Sequence, residues 1–313
     1  MNKHIIIVFV IFLTSCGIPQ SEFDLVKNEN NALKKRIDSI EHQLNTLEYL
    51  VDNSEVVLAN TKVKELTSTY NGQSYKIKIK FPKGYENGSE KYPVLYVLDA
   101  ETNFGGVSYI VQRLIKDKLI PKVLIVGIAY GTDYDDFYKL RSRDLTPVED
   151  KNLRIGGKQY VDPTGGAPEF TNFLESELFP FIAKNYRVKE EERAIYGHSY
   201  GGLYGCYVML KKPHLFNKYL LLSPSLWFKD NLLIKEAKET ELNLKPTKLY
   251  MASGMLETRI QNLQMDFVFT LNSKRQKNLE LKVDVMRNET HRTVFGPGFT
   301  NGLRYLYSEK KKQ

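Results

Sequence analysis

The sequence predicts an α/β fold with a mostly parallel central sheet that opens on antiparallel strands and is preceded by one long coiled-coil helix. Three observations carry this. Two alternating strand segments with a turn signal between them come first, and apolar strands then alternate with helix-compatible segments through the rest of the chain. Ahead of both, residues 23–51 place their apolar side chains at alternating spacings of three and four. At 313 residues and 42% apolar composition, the chain has the length for one large α/β domain plus an appendage.

The first element is an export signal, residues 1–15. Lys3 supplies the positive start, and Ile5 to Leu13 is an unbroken apolar run, too short for a spanning helix. Leu13-Thr14-Ser15-Cys16 resembles the bacterial lipobox, in which the peptide is cut before the Cys and that Cys is lipidated. This implies a lipid-anchored protein of a bacterial cell envelope, on the periplasmic or surface side, with Cys16 as its first mature residue and 16–22 as a linker. An uncleaved N-terminal anchor gives the same topology. Cys206 is the other of two cysteines, so no intrachain disulfide is expected after export.

Residues 23–53 read as a stalk. Phe23, Val26, Asn30, Leu33, Ile37, Ile40, Leu44, Leu47 and Val51 form a heptad seam, with Asn30 at an a position where a buried amide fixes register. In a parallel pair each g residue meets the next e residue of its partner, which gives Glu29 with Lys34 and Arg36 with Glu41, both attractive. A parallel homo-oligomer, dimer or trimer, is therefore expected; a single solvated helix, or one packed on its own domain, is the alternative.

The globular domain spans 61–309. Lys62 to Thr69 and Ser74 to Phe81 read as a hairpin about Asn71-Gly72. Residues 93–99 and 123–130 are nearly all apolar, as in strands covered on both faces. A helix is expected over Tyr109 to Lys118 and another over Phe170 to Tyr186. Strands at 193–196, 219–223, 248–252 and 279–285 complete the sheet, with helices over 231–240 and 261–274. Asp133 to Asp136 and Arg154 to Gly166 form a long polar insertion of the kind that carries specificity.

Gly197-His198-Ser199-Tyr200-Gly201 lies between the strand at 193–196 and a helix-compatible segment, with Gly202 beyond. Gly-x-Ser-x-Gly in this setting is a nucleophile elbow, a strained turn that exposes the Ser above a sheet. Gly197 and Gly201 are expected to be glycines because a Cβ would collide there. Ser199 as nucleophile needs a base, and the chain has five His. His4 leaves with the signal, His42 sits at an f position of the coil, His198 is read as pointing elsewhere on the elbow, and His214 as a surface or capping residue. His291, in the loop after the last strand, remains. The orienting acid must fall between Ser and His in chain order, which favours Glu257 after the strand ending at Ala252, with Asp284 as its rival. The oxyanion is expected to meet the amides of Tyr200 and Glu101, with the Glu101 side chain incidental.

Leu95 to Ala100, Arg141-x-Arg143-Asp144-Leu145-Thr146-Pro147, Gly165-Gly166-Ala167 with Phe170, Gly197 to Gly202, and Ser223-Pro224-Ser225-Leu226-Trp227 occur in the order seen in the putative-esterase family of α/β-hydrolases. The chain most resembles the branch of siderophore trilactone esterases, and is more distantly similar to S-formylglutathione hydrolases and feruloyl esterases. The resemblance covers roughly residues 62–307. It implies an α/β-hydrolase fold and hydrolysis of a small-molecule ester through an acyl-enzyme, with no metal or cofactor. It carries the nucleophile to Ser199, the base to His291 and the acid to Glu257. Two departures stand out: Ala100 where the family usually has Gly, and Arg292 after the His where a Gly is frequent.

By the same resemblance Trp227 lines the acyl or aryl pocket, with core packing as the other reading. Arg141 and Arg143 are candidates to hold an anionic substrate group, or else to pair with Asp144 and nearby acids. The formal charge of +8 is spread along the chain, and without a basic stripe or nucleic-acid motif no nucleic-acid partner is expected. Two other readings use the same fold: a non-catalytic envelope lipoprotein, and a thioesterase or peptidase on the same triad.

Overall fold

The structure is a computed structural model and describes residues 19–52, 57–132, 134–155, 157–160 and 162–308. The export signal, Cys16, Asp133 of the insertion and the basic tail lie outside them. The chain divides into two compact units, 1–58 and 59–313.

In the first unit, α1 (Gln20–Asp52) is one continuous helix. Its seam is open: Val26, Leu33, Ile37, Ile40 and Leu44 are between 41% and 57% exposed. No helix among the described residues is long and apolar enough to cross a membrane.

The second unit is built on an eight-stranded sheet of order β1-β2-β4-β3-β7-β8-β9-β10. Its strands are β1 (Thr61–Thr67), β2 (Ser74–Lys80), β3 (Tyr92–Val97), β4 (Leu124–Ala129), β7 (Val188–His198), β8 (Lys218–Leu222), β9 (Thr247–Gly254) and β10 (Leu279–Met286). The pair β5 (Arg154–Ile155) and β6 (Lys158–Gln159) forms a small separate hairpin in the insertion. β2 runs antiparallel to β1 and β4, and β4, β3, β7, β8, β9 and β10 are mutually parallel.

Both faces of the parallel region are covered, and this explains its unbroken apolar strands. Along β3, Val94 and Tyr96 enter one core while Leu95 and Val97 enter the other. The first core is closed by α4 (Ala167–Phe173), α5 (Phe179–Asn185), α6 (Tyr200–Lys211), α7 (Phe228–Glu239) and α8 (Thr258–Ser273). The second is closed by α2 (Ala100–Lys116) and α9 (Phe295–Leu306). Each fully buried Leu, Ile or Val in these layers contributes roughly 1.5–3 kcal/mol.

Four elements differ from the sequence reading. α2 starts nine residues before the expected Tyr109, running through Gly105-Gly106, because Gly106 faces α9: a Cβ there would lie 2.8 Å from the Phe295 ring. The expected helix over 170–186 is three pieces, with a π-helical turn at Leu174–Leu178 between α4 and α5. α3 (Tyr134–Leu145) begins in the polar stretch at 133–136 and runs on to Leu145, where no element was expected. α9 forms across Gly296-Pro297-Gly298, where Gly298 and Gly302 let the helix lie against Leu222, Leu220 and Tyr250 with no room for a Cβ.

Candidate active site

Four loops meet at the carboxyl ends of β3, β7, β9 and β10, the edge where open α/β sheets bind ligands. At the end of β7 the chain turns into α6 through Ser199, whose φ of 58° and ψ of −114° are strained for a residue with a Cβ. The turn is held by Ser199 N–H donating to Leu222 O at 3.0 Å and by Leu203 N–H and Ser225 N–H donating to Ser199 O at 2.9 and 3.1 Å. Gly197 is obligatory, since a Cβ would fall 2.1 Å from Gly201 O. Gly201 itself has only ordinary contacts, the nearest at 3.5 Å, so the steric role expected of it belongs to Gly202, pressed on Pro224 with 2.9 Å to a built Cβ.

Glu257 leaves the loop after β9 with its side chain only 5% exposed. Its Oε2 lies 2.6 Å from His291 Nδ1, while Oε1 accepts from Ser223 Oγ and Gly254 N–H, both at 2.7 Å. Burial pushes this carboxyl up, but the bonds from His291, Ser223 and Gly254 outweigh it and hold it below the usual carboxylate range. The rival Asp284 is engaged elsewhere, accepting from Tyr250 Oη at 2.7 Å. Backbone bonds Met255 N–H to Met286 O and Leu256 N–H to Glu289 O, at 2.8 and 3.1 Å, stitch the Glu257 loop to the His291 loop.

His291 stands beside the elbow. Its carbonyl is 2.6 Å from His198 Nε2, and the two imidazole centroids are 4.6 Å apart. Ser199 Oγ shares a 3.2 Å hydrogen bond with Ser225 Oγ.

Tyr200 opens α6, and Ala100 and Glu101 open α2, so their amides are helix-start donors without intrahelical acceptors. Asp99 sets the α2 turn at φ 52° and is bound by Arg141, Nε to Oδ1 and Nη2 to Oδ2, both at 2.8 Å. The Glu101 side chain is not incidental. Its Oε1 accepts from the amides of Tyr130 and Gly131, tying α2 to the end of β4. Burial raises its pKa. Ala100 fits where the family usually has Gly because Gly127 faces it on β4; a Cβ on Gly127 would lie 2.8 Å from that of Ala100.

Arg141 is buried and spent on Asp99, with its guanidinium 5.4 Å from the Tyr200 ring centroid. Arg143 binds the fully buried Asp144 through Nε and Nη2, at 2.6 and 3.1 Å, and Asp144 also accepts from Tyr75 Oη. Both arginines are paired with acids, as in the second of the two readings given above. Trp227 is half-buried, its ring centroid 6.0 Å from that of Tyr200, so it is at once packed and beside the elbow. His214 is at the surface, 2.8 Å from Glu175. Sequence reasoning missed Asp99, His198, Ser223 and Ser225, whose roles are contacts between distant loops that no local pattern announces.

An elbow after a parallel strand, in this strand order, defines an α/β-hydrolase. The chain matches the family described as Putative esterase over residues 68–302 and belongs to it, an ester-hydrolysing enzyme. It is similar to the ferri-bacillibactin esterase BesA of Bacillus subtilis, 34% identical over 211 residues, which are 64% of this chain and 72% of that one. It is also similar to the siderophore enterobactin esterase of Emericella nidulans, 33% identical over 215 residues, 58% of this chain and 71% of that one. Among solved structures, an IroE-like serine hydrolase from Shewanella oneidensis superposes with a TM-score of 0.70 at 30% identity, covering 79% of this chain and 80% of that one.

Proposed function

We propose that Ser199, His291 and Glu257 form a Ser-His-Glu triad that cleaves carboxylic esters through an acyl-enzyme. The observation that carries this reading is the 2.6 Å contact of His291 Nδ1 with Glu257. A bond there fixes the tautomer and leaves Nε2 to take a proton. Ser199 Oγ turns from Ser225 by rotation about χ1, a fast motion for a side chain. It adds to the ester carbonyl carbon as His291 Nε2 takes its proton, and the displaced electron pair collects on the carbonyl oxygen. The amide of Tyr200 and those at the start of α2 stabilise that oxygen. The alcohol leaves with the proton from His291, and water repeats the sequence on the acyl-enzyme.

The relatives' names support a siderophore ester as substrate, and half-buried Trp227, packed beside Tyr200, offers an aromatic surface for its aryl groups. The exposed seam of α1 supports a parallel coiled-coil stalk, and the sequence around Cys16 a lipid anchor on a bacterial envelope membrane.

The test is hydrolysis of p-nitrophenyl butyrate and of a catecholate trilactone by the full chain beside Ser199→Ala and His291→Ala. Both variants are expected to lose on the order of 10⁴-fold or more in kcat. Turnover persisting in either removes that residue from the triad. For the anchor, Cys16→Ala is expected to move the chain from the membrane to the soluble fraction; retention at the membrane refutes lipidation.

A further inference from the structure

His198 precedes the nucleophile and was set aside in the sequence as a ring aimed away from the reaction. The structure turns it toward the base. Its Nε2 is 2.6 Å from the main-chain oxygen of His291, and the two rings lie at 4.6 Å and 44°. A carbonyl only accepts, so Nε2 carries the hydrogen and His198 is the donor. Within its own turn the His291 loop is held by the Thr290–Thr293 pair and by Val294 N–H donating to Thr290 O. On the acid side it is stitched through Glu289 and Met286. Among the hydrogen bonds of the described residues, His198 supplies the tie from the nucleophile's own strand to this loop, while further on the Phe295 and Phe299 rings pack against Tyr196.

We propose that His198 is a positioning residue, whose Nε2–H pins the His291 carbonyl and thereby sets the base over Ser199. The proposal rests on the triad reading above. His291 is 39% exposed and sits in a turn, so its imidazole has no packed core to define its place. An error of about 1 Å in such a group is worth as much as 10²-fold in rate. His198 suits the task because burial, with His291 as the next contributor, pushes its pKa down to about 4. The ring is therefore neutral at physiological pH, and it adds no positive charge beside His291 when that residue takes its proton.

The experiment compares His198→Gln, His198→Asn and His198→Leu in the full chain, reading kcat and KM for p-nitrophenyl butyrate together with Tm. A Gln amide reaches about as far as Nε2, an Asn amide stops one bond short, and Leu has no donor. His198→Gln is expected to keep kcat within about threefold. His198→Asn and His198→Leu are expected to lose roughly 10- to 100-fold in kcat, with KM within about twofold. If Leu fails to fold, the Gln and Asn pair decides the matter alone. Equal kcat in Gln, whose donor reaches the carbonyl, and in Asn and Leu, which cannot reach it or have no donor, whether all active or all impaired, overturns the proposal. His291→Ala is run alongside. If it is inactive while His198→Leu is fully active, positioning falls and the triad stands. If His291→Ala is active, the triad reading falls and takes the proposal with it.

Discussion

Ser199 keeps its positive φ because its neighbours leave room for the turn, and the cost of that room is unequal among the glycines. A Cβ at Gly197 meets a backbone carbonyl at 2.1 Å, and neither atom is on a side chain that can swing away. Gly197→Ala is therefore expected to lose on the order of 4 kcal/mol or more and to yield no active enzyme. Gly201→Ala, with nothing nearer than 3.5 Å, is expected to be neutral or to gain up to about 1 kcal/mol, since it sits in the first turn of α6. Thermal denaturation of the two variants checks the contrast. Glu257 gives a pH prediction. Its folded pKa is depressed, so its contribution to stability is complete above the unfolded carboxylate value of about 4.3 and is lost as pH falls through the lower folded value. The stability gap between the protein and Glu257→Gln, measured in urea, is expected to be present at neutral pH and to close below about pH 4.

At the scale of elements, the turn into α2, proposed to carry an oxyanion amide, is tied to α3, a helix for which the sequence reading gave no element. Arg141 reaches from α3 to Asp99 at the turn into α2, and removing it strands a buried carboxylate. Arg141→Ala is expected to cost about 3–5 kcal/mol and to lower kcat, because the amides of α2 hang on that turn. Arg141→Lys keeps the charge but loses the two-pronged bond, so it should retain only part of both. Urea denaturation and steady-state kinetics on the same preparations read the two effects. Strands were legible because burial on both faces leaves an unbroken apolar signature, as in Val94 to Leu98. α3 was not, because its sequence Tyr134-Asp135-Asp136-Phe137-Tyr138-Lys139 has a weak apolar stripe and its buried work is done by an arginine. α9 was hidden for the opposite reason: Gly296-Pro297-Gly298 reads as a turn, yet Gly298 and Gly302 serve close packing on the sheet. At the site, motif order suggested the proposed triad of Ser199, His291 and Glu257, whereas the contacts of Ser223, Ser225 and His198 lie between residues far apart in sequence.

For the whole molecule, the sheet order brings loops from residues 99, 199, 257 and 291 to one edge, so the second unit contains all the groups assigned to the chemistry. The first unit contributes none of them, and its α1 exposes large apolar side chains along a heptad seam instead. Ile37, Ile40 and Leu44 are each about half exposed, so covering what remains would gain on the order of 1 kcal/mol apiece, which favours the proposed pairing with a second copy. On the proposed stalk, Glu29 with Lys34 and Arg36 with Glu41 would attract across a parallel pair, which favours that orientation. The full chain is therefore expected to sediment as a dimer or trimer, and Ile37→Asp as a monomer with unchanged kcat on p-nitrophenyl butyrate. Asn30→Leu should raise the stability of the oligomer while relaxing its register, since the amide at that a position costs stability and specifies alignment. A disulfide-trapping experiment with Cys placed at residue 33 separates parallel from other pairings: like positions cross-link only when the helices run in the same direction and in register. Monomeric sedimentation of the full chain at micromolar concentration would return α1 to the role of a solitary helix.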